Sequence, residues 1–405
     1  MMRRRVLITA IGMASPLGGS TRETFEALIA GRCGIGRHPD PGIDKSVGYV
    51  REDVSGAAPP SQARMMDRVT LLAQYATGQA VAEAALDASR LSECGVFVGT
   101  GIGGVSTLCE AVEAYHGIRP RRPVLVVPAV MPHAPAALIA QKLESVAEAQ
   151  TYATACSAGA VAIGEAFRRV RDGYLDIAIA GGAESMFTPA LMAAWKQLYV
   201  LCAEPADARG GYCRPFSHKR TGFALSEGAA MLVLESAEHA RARNATAIAE
   251  LCGYGVSNDG THPVHPDARG QALAMLRCLV DGGLAPSDVG YVNAHATGTL
   301  VGDRIETAAI KQVFGEHACH LPISSIKGAI GHAIGAAGAI EAAVTALSVQ
   351  RGVVPPTLFW EGGDPECDLD YVPGTARRLP ELRLAISNSF GMGGNNAVLA
   401  FGRAP

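Results

Sequence analysis

The sequence predicts an α/β fold built from two similar halves. Apolar runs such as Val96–Val98 and Ile177–Ala180 are typical of strands that are buried on both faces of a sheet. Helical patterns separate these runs, and strands that alternate with helices indicate parallel sheets with helices on both faces. The same succession of segments occurs twice along the 405 residues, which indicates a diverged internal duplication.

The composition is that of a protein with a large core. The chain is 48% hydrophobic and 18% charged, and its net charge of −3 gives no reason to expect nucleic acid or a membrane surface as a partner. The basic, apolar start imitates a signal peptide, but we interpret it as a first strand, and no run reaches the roughly 20 residues of a membrane helix. The 10 scattered cysteines are typical of reduced thiols. We therefore expect a soluble, cytoplasmic protein.

The two halves are predicted to meet at the polar stretch Glu235–Asn244, so that they comprise residues 1–240 and 241–405. Aligned by eye, Lys327 occupies the position in the second half that Cys156 occupies in the first. Each of these residues ends a predicted strand and begins a predicted helix. Because function gathers at the carboxyl ends of strands in α/β sheets, we expect both residues in one site.

Cys156 is the most informative single residue. It lies in TYATACSAGA (residues 151–160), where a β-rich run ends and a run of small helical residues begins. The dipole of a helix favours the thiolate of a cysteine at its start, and a thiolate attacks acyl groups. The small residues after it are suited to a passing acyl chain, and equally to close helix packing.

Two histidines in glycine-rich segments, His295 and His332, would complete a Cys-His-His acyl-transfer site with Cys156. Thr297 and Thr299 follow the first histidine. Their hydroxyls are suited to the amide groups of a ligand, and also to capping a helix.

Lys327 requires an acidic partner, because a cation is unfavourable at the start of a helix. Asp303 and Glu306, three residues apart, could lie on one helix face and supply that charge, and Glu341 is a further candidate for a buried acid. Each of the three acids could equally belong to a solvated helix face.

The glycine-rich segment SNSFGMGGNN (residues 387–396) could present backbone N–H groups to a developing oxyanion, or form only a hairpin.

Two other motifs imitate a dinucleotide site and a metal site, and we interpret both as decoys. Gly99–Gly104 satisfies GxGxxG, but no acidic residue follows about 20 positions later, as dinucleotide binding requires. Glu316–His320 suggests a metal site but lacks a second cluster of ligands, so we interpret it as a loop.

Taken together, the segments resemble the β-ketoacyl-[acyl-carrier-protein] synthases of the ketoacyl synthase I/II type. The resemblance covers essentially the whole chain and rests on motifs in the same order, namely RRRVLITAIGMASPLG, VGTGIGG, ATACSAGA, RPFSHKRTGFALSEGAA, NAHATGT, GDRIE, SSIKGAIGHAIGAAGAIE and SNSFGMGGNN. It implies a thiolase-like fold of five layers, αβαβα, and a homodimer or a heterodimer with a related subunit.

The resemblance also implies the chemistry. Cys156 would accept an acyl group from acyl carrier protein, and His295 and His332 would stabilise the enolate that forms when malonyl-carrier protein loses carbon dioxide. The backbone N–H groups of Cys156 and Met392 would form the oxyanion hole. Asp303 and Glu306 would hold Lys327, and Glu341 would support the loops behind it. Phe390 would be a further supporting residue. Thr297 and Thr299 would bind the phosphopantetheine arm. Neither a metal nor another cofactor is implied.

The motifs separate this chain from neighbouring families. The ketoacyl synthase III type has an asparagine where His332 stands, thiolases have a second cysteine in the last glycine-rich turn, and chain-length factors lack Cys156. One departure concerns Met392, which replaces a phenylalanine that gates the acyl pocket, and another is Asn395-Asn396 in place of Thr-Asn. Both favour a specialised role, such as polyketide or polyene assembly, over housekeeping elongation.

Two alternatives remain open at this stage. The chain could be an acyltransferase that uses Cys156 without condensation, or a subunit that shapes a partner's pocket. The carrier protein should be acidic, so we expect a basic patch near the pocket mouth, for which the candidates are Arg64, Arg68, Arg119, Arg121 and Arg122. Chain length, pathway and cognate carrier are not apparent from the sequence.

Overall fold

The computed structural model describes residues 3–118, 125–204 and 211–404. The strands of the first half are β1 (Val6–Ala14), β2 (Ile35–Arg37), β3 (Ser46–Gly48), β4 (Gly95–Gly99), β5 (Ala149–Tyr152), β6 (Ile177–Glu184) and β7 (Gly228–Ser236). Its helices are α1 (Thr21–Ile29), α2 (Pro60–Ala63), α3 (Arg68–Ala84), α4 (Ala88–Ser92), α5 (Val105–Tyr115), α6 (Val126–Val130), α7 (Ala134–Leu143), α8 (Ala158–Arg171), α9 (Pro189–Gln197) and α10 (Ala237–Ala242). The start of the chain therefore forms a buried strand, as predicted.

The second half has the strands β8 (Ala249–Asn258), β9 (Tyr291–Asn293), β10 (Ile323–Ser324), β11 (Val353–Val354), β12 (Arg377–Arg378), β13 (Leu384–Gly391) and β14 (Asn395–Arg403). Its helices are α11 (Ala268–Gly282), α12 (Gly302–Phe314), α13 (Lys327–Ile330) and α14 (Ala337–Arg351). Among the described residues, no helix combines the length and apolar character needed to cross a membrane.

Ten strands form one sheet in the order β10-β9-β13-β14-β8-β1-β7-β6-β4-β5. The order β5-β4-β6-β7-β1 in the first half repeats as β10-β9-β13-β14-β8 in the second, which confirms the predicted duplication. The expectation of wholly parallel sheets is wrong for the middle strands. Each strand is antiparallel to its neighbour along the run β6-β7-β1-β8-β14-β13. The pairs on either side of this run are parallel. A short turn joins β13 to β14, and such a turn can connect only antiparallel neighbours.

The layers are those of the predicted αβαβα arrangement. Helices α8 and α14 pack against each other and against strands of both halves, so they form the central layer. Helices α3 and α7 cover the strands of the first half, and α11, with α12 beside it, covers those of the second. Every residue of α14 from Ala337 to Val349 is buried, which explains why its sequence shows no polar face.

The small residues of the central layer serve helix packing. A Cβ atom on Gly159 would lie 2.9 Å from the backbone N of Ala339, and one on Gly338 would lie 2.9 Å from the backbone N of Ala160. Such distances are shorter than a real Cβ contact, so glycine is required where α8 and α14 cross. Of the two interpretations of the small residues after Cys156, the structure supports helix packing for Gly159.

The alignment of Cys156 with Lys327 is wrong. Cys156 lies in a 3₁₀ turn, Ala155–Ser157, directly before α8, and the matching turn before α14 is Ile334–Ala336. Both turns begin with a residue of positive φ, +52° at Ala155 and +44° at Ile334. Gly335 is therefore the counterpart of Cys156, and Lys327 begins the separate short helix α13.

Candidate active site

Cys156 faces His332 at the floor of a buried pocket. The distance from Cys156 Sγ to His332 Nε2 is 3.0 Å, which is within hydrogen-bonding range for a thiol. Backbone hydrogen bonds on both sides hold His332 in place, from its N–H to Ala224 O at 2.8 Å and from Ser226 N–H to its carbonyl at 3.0 Å. His332 Nδ1 has no partner among the described residues. The imidazole can therefore exchange a proton with the thiol.

His295 lies beside this pair. Its ring centroid is 5.3 Å from that of His332, with the rings nearly perpendicular, and 6.0 Å from that of Phe390. Lys327 Nζ approaches His295 Nδ1 to 3.5 Å. Because an ammonium group can only donate, Nδ1 of His295 is the acceptor and its proton lies on Nε2. His295 is therefore a neutral hydrogen-bond donor through Nε2.

The buried partner of Lys327 is Glu341, whose Oε1 accepts a hydrogen bond from Nζ. We expected Asp303 and Glu306 to hold Lys327, and Glu341 to support loops. This expectation is wrong, because the ion pair of Lys327 is formed with Glu341. Glu341 lies on α14 in the central layer, and the side chain of Lys327 reaches it there. Sequence spacing alone could not reveal this contact, because α13 and α14 are separated by a turn of irregular geometry.

Asp303 and Glu306 instead hold the backbone around His295. Glu306 accepts hydrogen bonds from the N–H groups of His295 at 2.9 Å and Ala296 at 2.7 Å, and from Asn388 Nδ2 at 3.0 Å. Asp303 accepts from Phe216 N–H at 2.7 Å and Gly298 N–H at 3.0 Å. Both acids are fully buried, so the interpretation as a solvated helix face is wrong for them. They position His295 through the main chain.

The β13–β14 turn is a hairpin that also reaches the nucleophile. A Cβ atom on Gly391 would lie 2.7 Å from Thr154 O and 3.3 Å from Cys156 N, so glycine lets the two segments approach closely. The backbone N–H of Met392 interacts with the Cys156 thiol and lowers its pKa. The hairpin thus brings the Met392 N–H to the Cys156 sulfur and its backbone close to the Cys156 N, which is compatible with the expected oxyanion hole.

A cavity of about 570 Å³ opens from Cys156 to solvent. Thr297 and Thr299 line it, with their hydroxyl oxygens 3.1 Å apart. Helix α12 has Val301 as its N-cap residue and no side-chain capping bond, so neither threonine caps it. The two hydroxyls hydrogen-bond to each other, and that of Thr299 lies beside Gly302, the first residue of α12, without capping the helix. Phe390 and Met392 also line this cavity.

Burial dominates the electrostatics of the site. It raises the pKa of the Cys156 thiol to about 11, although Met392 N–H and the Lys327 ammonium act in the opposite direction. Burial also lowers the pKa values of His295 and His332 well below their ordinary range, and Lys327 lowers both further. The resting site thus holds a thiol and two neutral imidazoles. The expected thiolate at the helix start is outweighed by burial.

Cys156, His295 and His332 have ligand atoms within 4.8 Å of one another, the only such group of three among the described residues. A metal ion could be accommodated by the spacing alone. The ammonium of Lys327, 3.5 Å from His295 Nδ1, would repel a cation there. The arrangement is better suited to proton transfer and anion stabilisation than to metal binding.

The two decoy motifs have structural roles. In the turn Gly99–Gly104, Gly101 N–H and the Thr100 hydroxyl donate to the buried carboxylate of Glu184. Glu316–His320 forms part of a 3₁₀ helix, rather than an irregular loop, before β10, and His317 Nε2 lies 2.9 Å from Val289 O.

The expected basic patch near the pocket mouth stays a prediction. Arg64 is exposed. Arg68 is paired with the buried carboxylate of Glu227 and also donates to Val50 O at 2.9 Å, so it is a structural residue rather than a free surface cation. Arg119, Arg121 and Arg122 lie outside the described residues.

Two residues near the site were missed by sequence reasoning. Glu184, at the end of β6, accepts from Gly335 N–H at 3.1 Å as well as from Gly101 N–H, and its charge raises the pKa of Cys156. Gln271, in the first turn of α11, is buried and lines the cavity. The position of Glu184 after an apolar strand is a signal for the first, whereas nothing in the sequence marks the second.

Known proteins resemble this chain along its whole length. The family model described as "Beta-ketoacyl synthase, N-terminal domain" matches residues 3–240, and that described as "Beta-ketoacyl synthase, C-terminal domain" matches residues 248–361. The chain is 39% identical to 3-oxoacyl-[acyl-carrier-protein] synthase 2 of Synechocystis sp. over 98% of both chains.

Solved structures agree. The ishigamide ketosynthase/chain length factor matches with a TM-score of 0.91 and 32% identity over the full length of both chains. A type II polyketide ketosynthase, bound to a hexaketide and in complex with its acyl carrier protein, matches with a TM-score of 0.90 and 29% identity over the full length of both chains.

Proposed function

Because the chain belongs to the β-ketoacyl synthase family, we propose that it catalyses a decarboxylative Claisen condensation. An acyl group held as a thioester on Cys156 would condense with malonyl-carrier protein to give β-ketoacyl-carrier protein and carbon dioxide. The observation that carries the proposal is the 3.0 Å contact between Cys156 Sγ and His332 Nε2 at the floor of an open cavity. It provides a nucleophile and a proton acceptor in one place.

In the first step, Cys156 takes the acyl group from its carrier. With a thiol pKa of about 11, the nucleophile forms as neutral His332 Nε2 accepts the thiol proton. The sulfur attacks the thioester carbonyl, and the N–H groups of Cys156 and Met392 stabilise the oxyanion. The tetrahedral intermediate collapses, the bond to the carrier sulfur breaks, and that sulfur recovers the proton from His332.

In the second step, malonyl-carrier protein loses carbon dioxide to form an enolate. The Nε2–H of His295 is free to donate to the enolate oxygen, because its Nδ1 faces Lys327. After acylation His332 Nε2 carries no proton, so it donates to the enolate as well only in the other neutral tautomer, which has its proton on Nε2 and none on Nδ1. The enolate carbon attacks the acyl carbonyl and expels Cys156 as its thiolate, which then takes a proton from solvent. Each step uses side chains and backbone N–H groups, so this chemistry requires no metal or other cofactor.

Lys327 has an electrostatic role in this proposal. Its ammonium fixes the tautomer of His295 and, after burial, is the next cause that lowers the pKa of both imidazoles. Glu341 compensates its charge in the central layer. Asp303 and Glu306 hold the segment that bears His295 and Thr297. The two threonine hydroxyls would contact the phosphopantetheine arm that carries each substrate.

We further propose that the chain pairs with a second copy or with a related subunit along β5. This strand lies at the edge of the ten-stranded sheet, and its residues are exposed or half-buried. Helix α5 nearby exposes Leu108 and Val112, and Met131 follows α6. A similar structure contains a ketosynthase together with a chain length factor. Light scattering after gel filtration should give twice the 41.9 kDa mass of the chain; a monomer would point to a missing partner subunit.

Intact-protein mass spectrometry tests the catalytic proposal. The protein is mixed with a panel of acyl-carrier proteins, and a gain of one acyl mass is expected in the wild type and not in Cys156→Ala. Malonyl-carrier protein is then added, and β-ketoacyl product should form. Acylation without a malonyl-dependent product would favour an acyltransferase, and no adduct with any carrier would overturn the proposal.

A further inference from the structure

Gln271 is a buried amide in the wall of the cavity that contains Cys156. It lies in the first turn of α11, which begins after the N-cap residue Asp267, and only 2% of it is exposed. Its Oε1 has no hydrogen-bond partner among the described residues. A buried acceptor without a partner costs about 1–3 kcal/mol. This oxygen is covered in the structure, so a rotation of the side-chain amide would present it to a ligand at the cavity wall.

The surrounding contacts place Gln271 close to the β13–β14 hairpin. A Cβ atom on Gly270 would lie 3.1 Å from Asn396 Nδ2, and Asn396 pairs in register with Phe390. The Asn396 amide is already engaged, since its Nδ2 donates to Asp259 at 2.7 Å and to Ser257 at 3.2 Å. Gln271 differs in that its acceptor is buried without a partner among the described residues.

The cavity mouth beside Gln271 carries two imidazoles. His262 Nδ1 accepts from the N–H groups of Val264 at 3.1 Å and His265 at 3.2 Å, so its proton lies on Nε2. His265 Nδ1 lies 3.0 Å from the same atom and must therefore be the donor of that pair. This wall offers a hydrogen-bond acceptor on Gln271 and donors on Gln271 and His262.

We propose that Gln271 binds an amide group of the phosphopantetheine arm that delivers the substrate. The inference rests on the proposed function, which brings that arm into this cavity. A secondary amide presents both an N–H and a C=O, and the side chain of Gln271 presents the complement of both. A carboxylate or a keto group has no donor for Oε1, and a hydrocarbon chain has neither a donor nor an acceptor. Gln271 thereby adds a polar contact to those expected of Thr297 and Thr299.

The test compares wild type with Gln271→Leu, which keeps the side-chain size and removes the amide. Rates of Cys156 acylation are measured with one acyl group on three carriers of increasing length. N-acetylcysteamine has one amide, N-acetyl-β-alanylcysteamine has two, and pantetheine adds two hydroxyls to the two amides. The apparent second-order rate constant should fall about tenfold, the value of one hydrogen bond of about 1.4 kcal/mol.

The pattern of loss identifies the group that is bound. An equal loss with all three thioesters assigns the amide next to the sulfur, and a loss that begins with the second carrier assigns the next amide. A loss seen only with pantetheine, or no loss at all, would overturn the proposal. Leu273→Ala, an exposed position on the same helix, should leave all three rates unchanged.

Two further measurements separate this inference from other causes. Gln271→Leu should unfold at a temperature no lower than wild type, because it removes a buried group without a partner; marked destabilisation would indicate a structural role instead. Binding of pantetheine to Cys156→Ala and to the double variant with Gln271→Leu is compared by ligand-observed NMR. Weaker binding by the double variant is expected even if the wild type forms no acyl adduct, and equal binding would overturn the inference alone.

Discussion

The carboxylate of Glu184 accepts a 3.1 Å hydrogen bond from the backbone N–H of Gly335, the residue that stands in the second half where Cys156 stands in the first. Gly101 N–H and the Thr100 hydroxyl donate to the same carboxylate. Gly335 N–H is the second-half counterpart of the Cys156 N–H in the proposed oxyanion hole. It is already bonded to the Glu184 carboxylate and cannot bind a substrate oxyanion. The duplication leaves one open site, that of Cys156.

Glu184→Gln is expected to lower the pKa of the Cys156 thiol. The Glu184 charge helps to raise that pKa to about 11, and the carboxylate, with its own pKa raised to about 7 by burial, is ionised across the pH range in which the thiol titrates. Glutamine keeps an oxygen for the two N–H donors but removes the charge. Alkylation of Cys156 by iodoacetamide, followed by peptide mass spectrometry, should reach its midpoint at a lower pH.

The control for this experiment is Glu235→Gln, which alters a buried carboxylate that is bound by Arg243. Its alkylation profile should match that of wild type. A Glu184→Gln profile that also matched wild type would show that Glu184 acts only through the position of the Ile334–Ala336 turn.

Glu341→Ala should destabilise the fold by about 3–5 kcal/mol, because it leaves the buried Lys327 ammonium without its partner. The double variant Lys327→Met/Glu341→Leu removes both charges and should recover much of that loss while remaining inactive. Urea unfolding at pH 8 measures both. Wild-type stability in Glu341→Ala would contradict the pairing.

Substitutions of the two histidines should separate the two half-reactions. His332 contacts the thiol directly, so His332→Ala should slow acylation of Cys156 by about 10²–10⁴-fold. His295 does not contact the thiol proton, so His295→Ala should still be acylated but should fail to form β-ketoacyl product. Single-turnover acylation and malonyl-dependent product formation are measured on each variant. Equal loss of acylation in both would refute the division of roles.

Met392→Phe tests the effect of the unusual residue in the glycine-rich turn. Met392 lines the cavity next to Cys156, and a rigid aromatic ring there should restrict which acyl chains enter. Longer or branched chains should acylate Cys156 about tenfold more slowly, whereas acetyl transfer should change little. Competition between acyl-carrier proteins, read by mass spectrometry, measures the ratio. Asn395→Thr in the same turn serves as the matched control, and an unchanged preference in Met392→Phe would remove Met392 from the selection of chains.

The predicted strands and the duplication followed from local signals. Buried apolar runs and glycine-rich turns depend on residues near one another in the chain, so the sequence reveals them. The strand directions in the middle of the sheet were mispredicted, because the direction of a neighbour depends on connections that cross the fold. The partner of Lys327 and the counterpart of Cys156 were also mispredicted, since both depend on how α14 packs beside α8.

By itself the sequence determined the family, the α/β class and the identity of the reactive groups Cys156, His295 and His332, because these are properties of residue type and local motif. Only the tertiary structure decided which acid neutralises Lys327, which acids hold the backbone of His295, and that Gln271 faces the cavity. It also decided that burial raises the pKa of the thiol. Each of these depends on burial and on distances between segments that are remote in sequence, and a linear pattern contains neither.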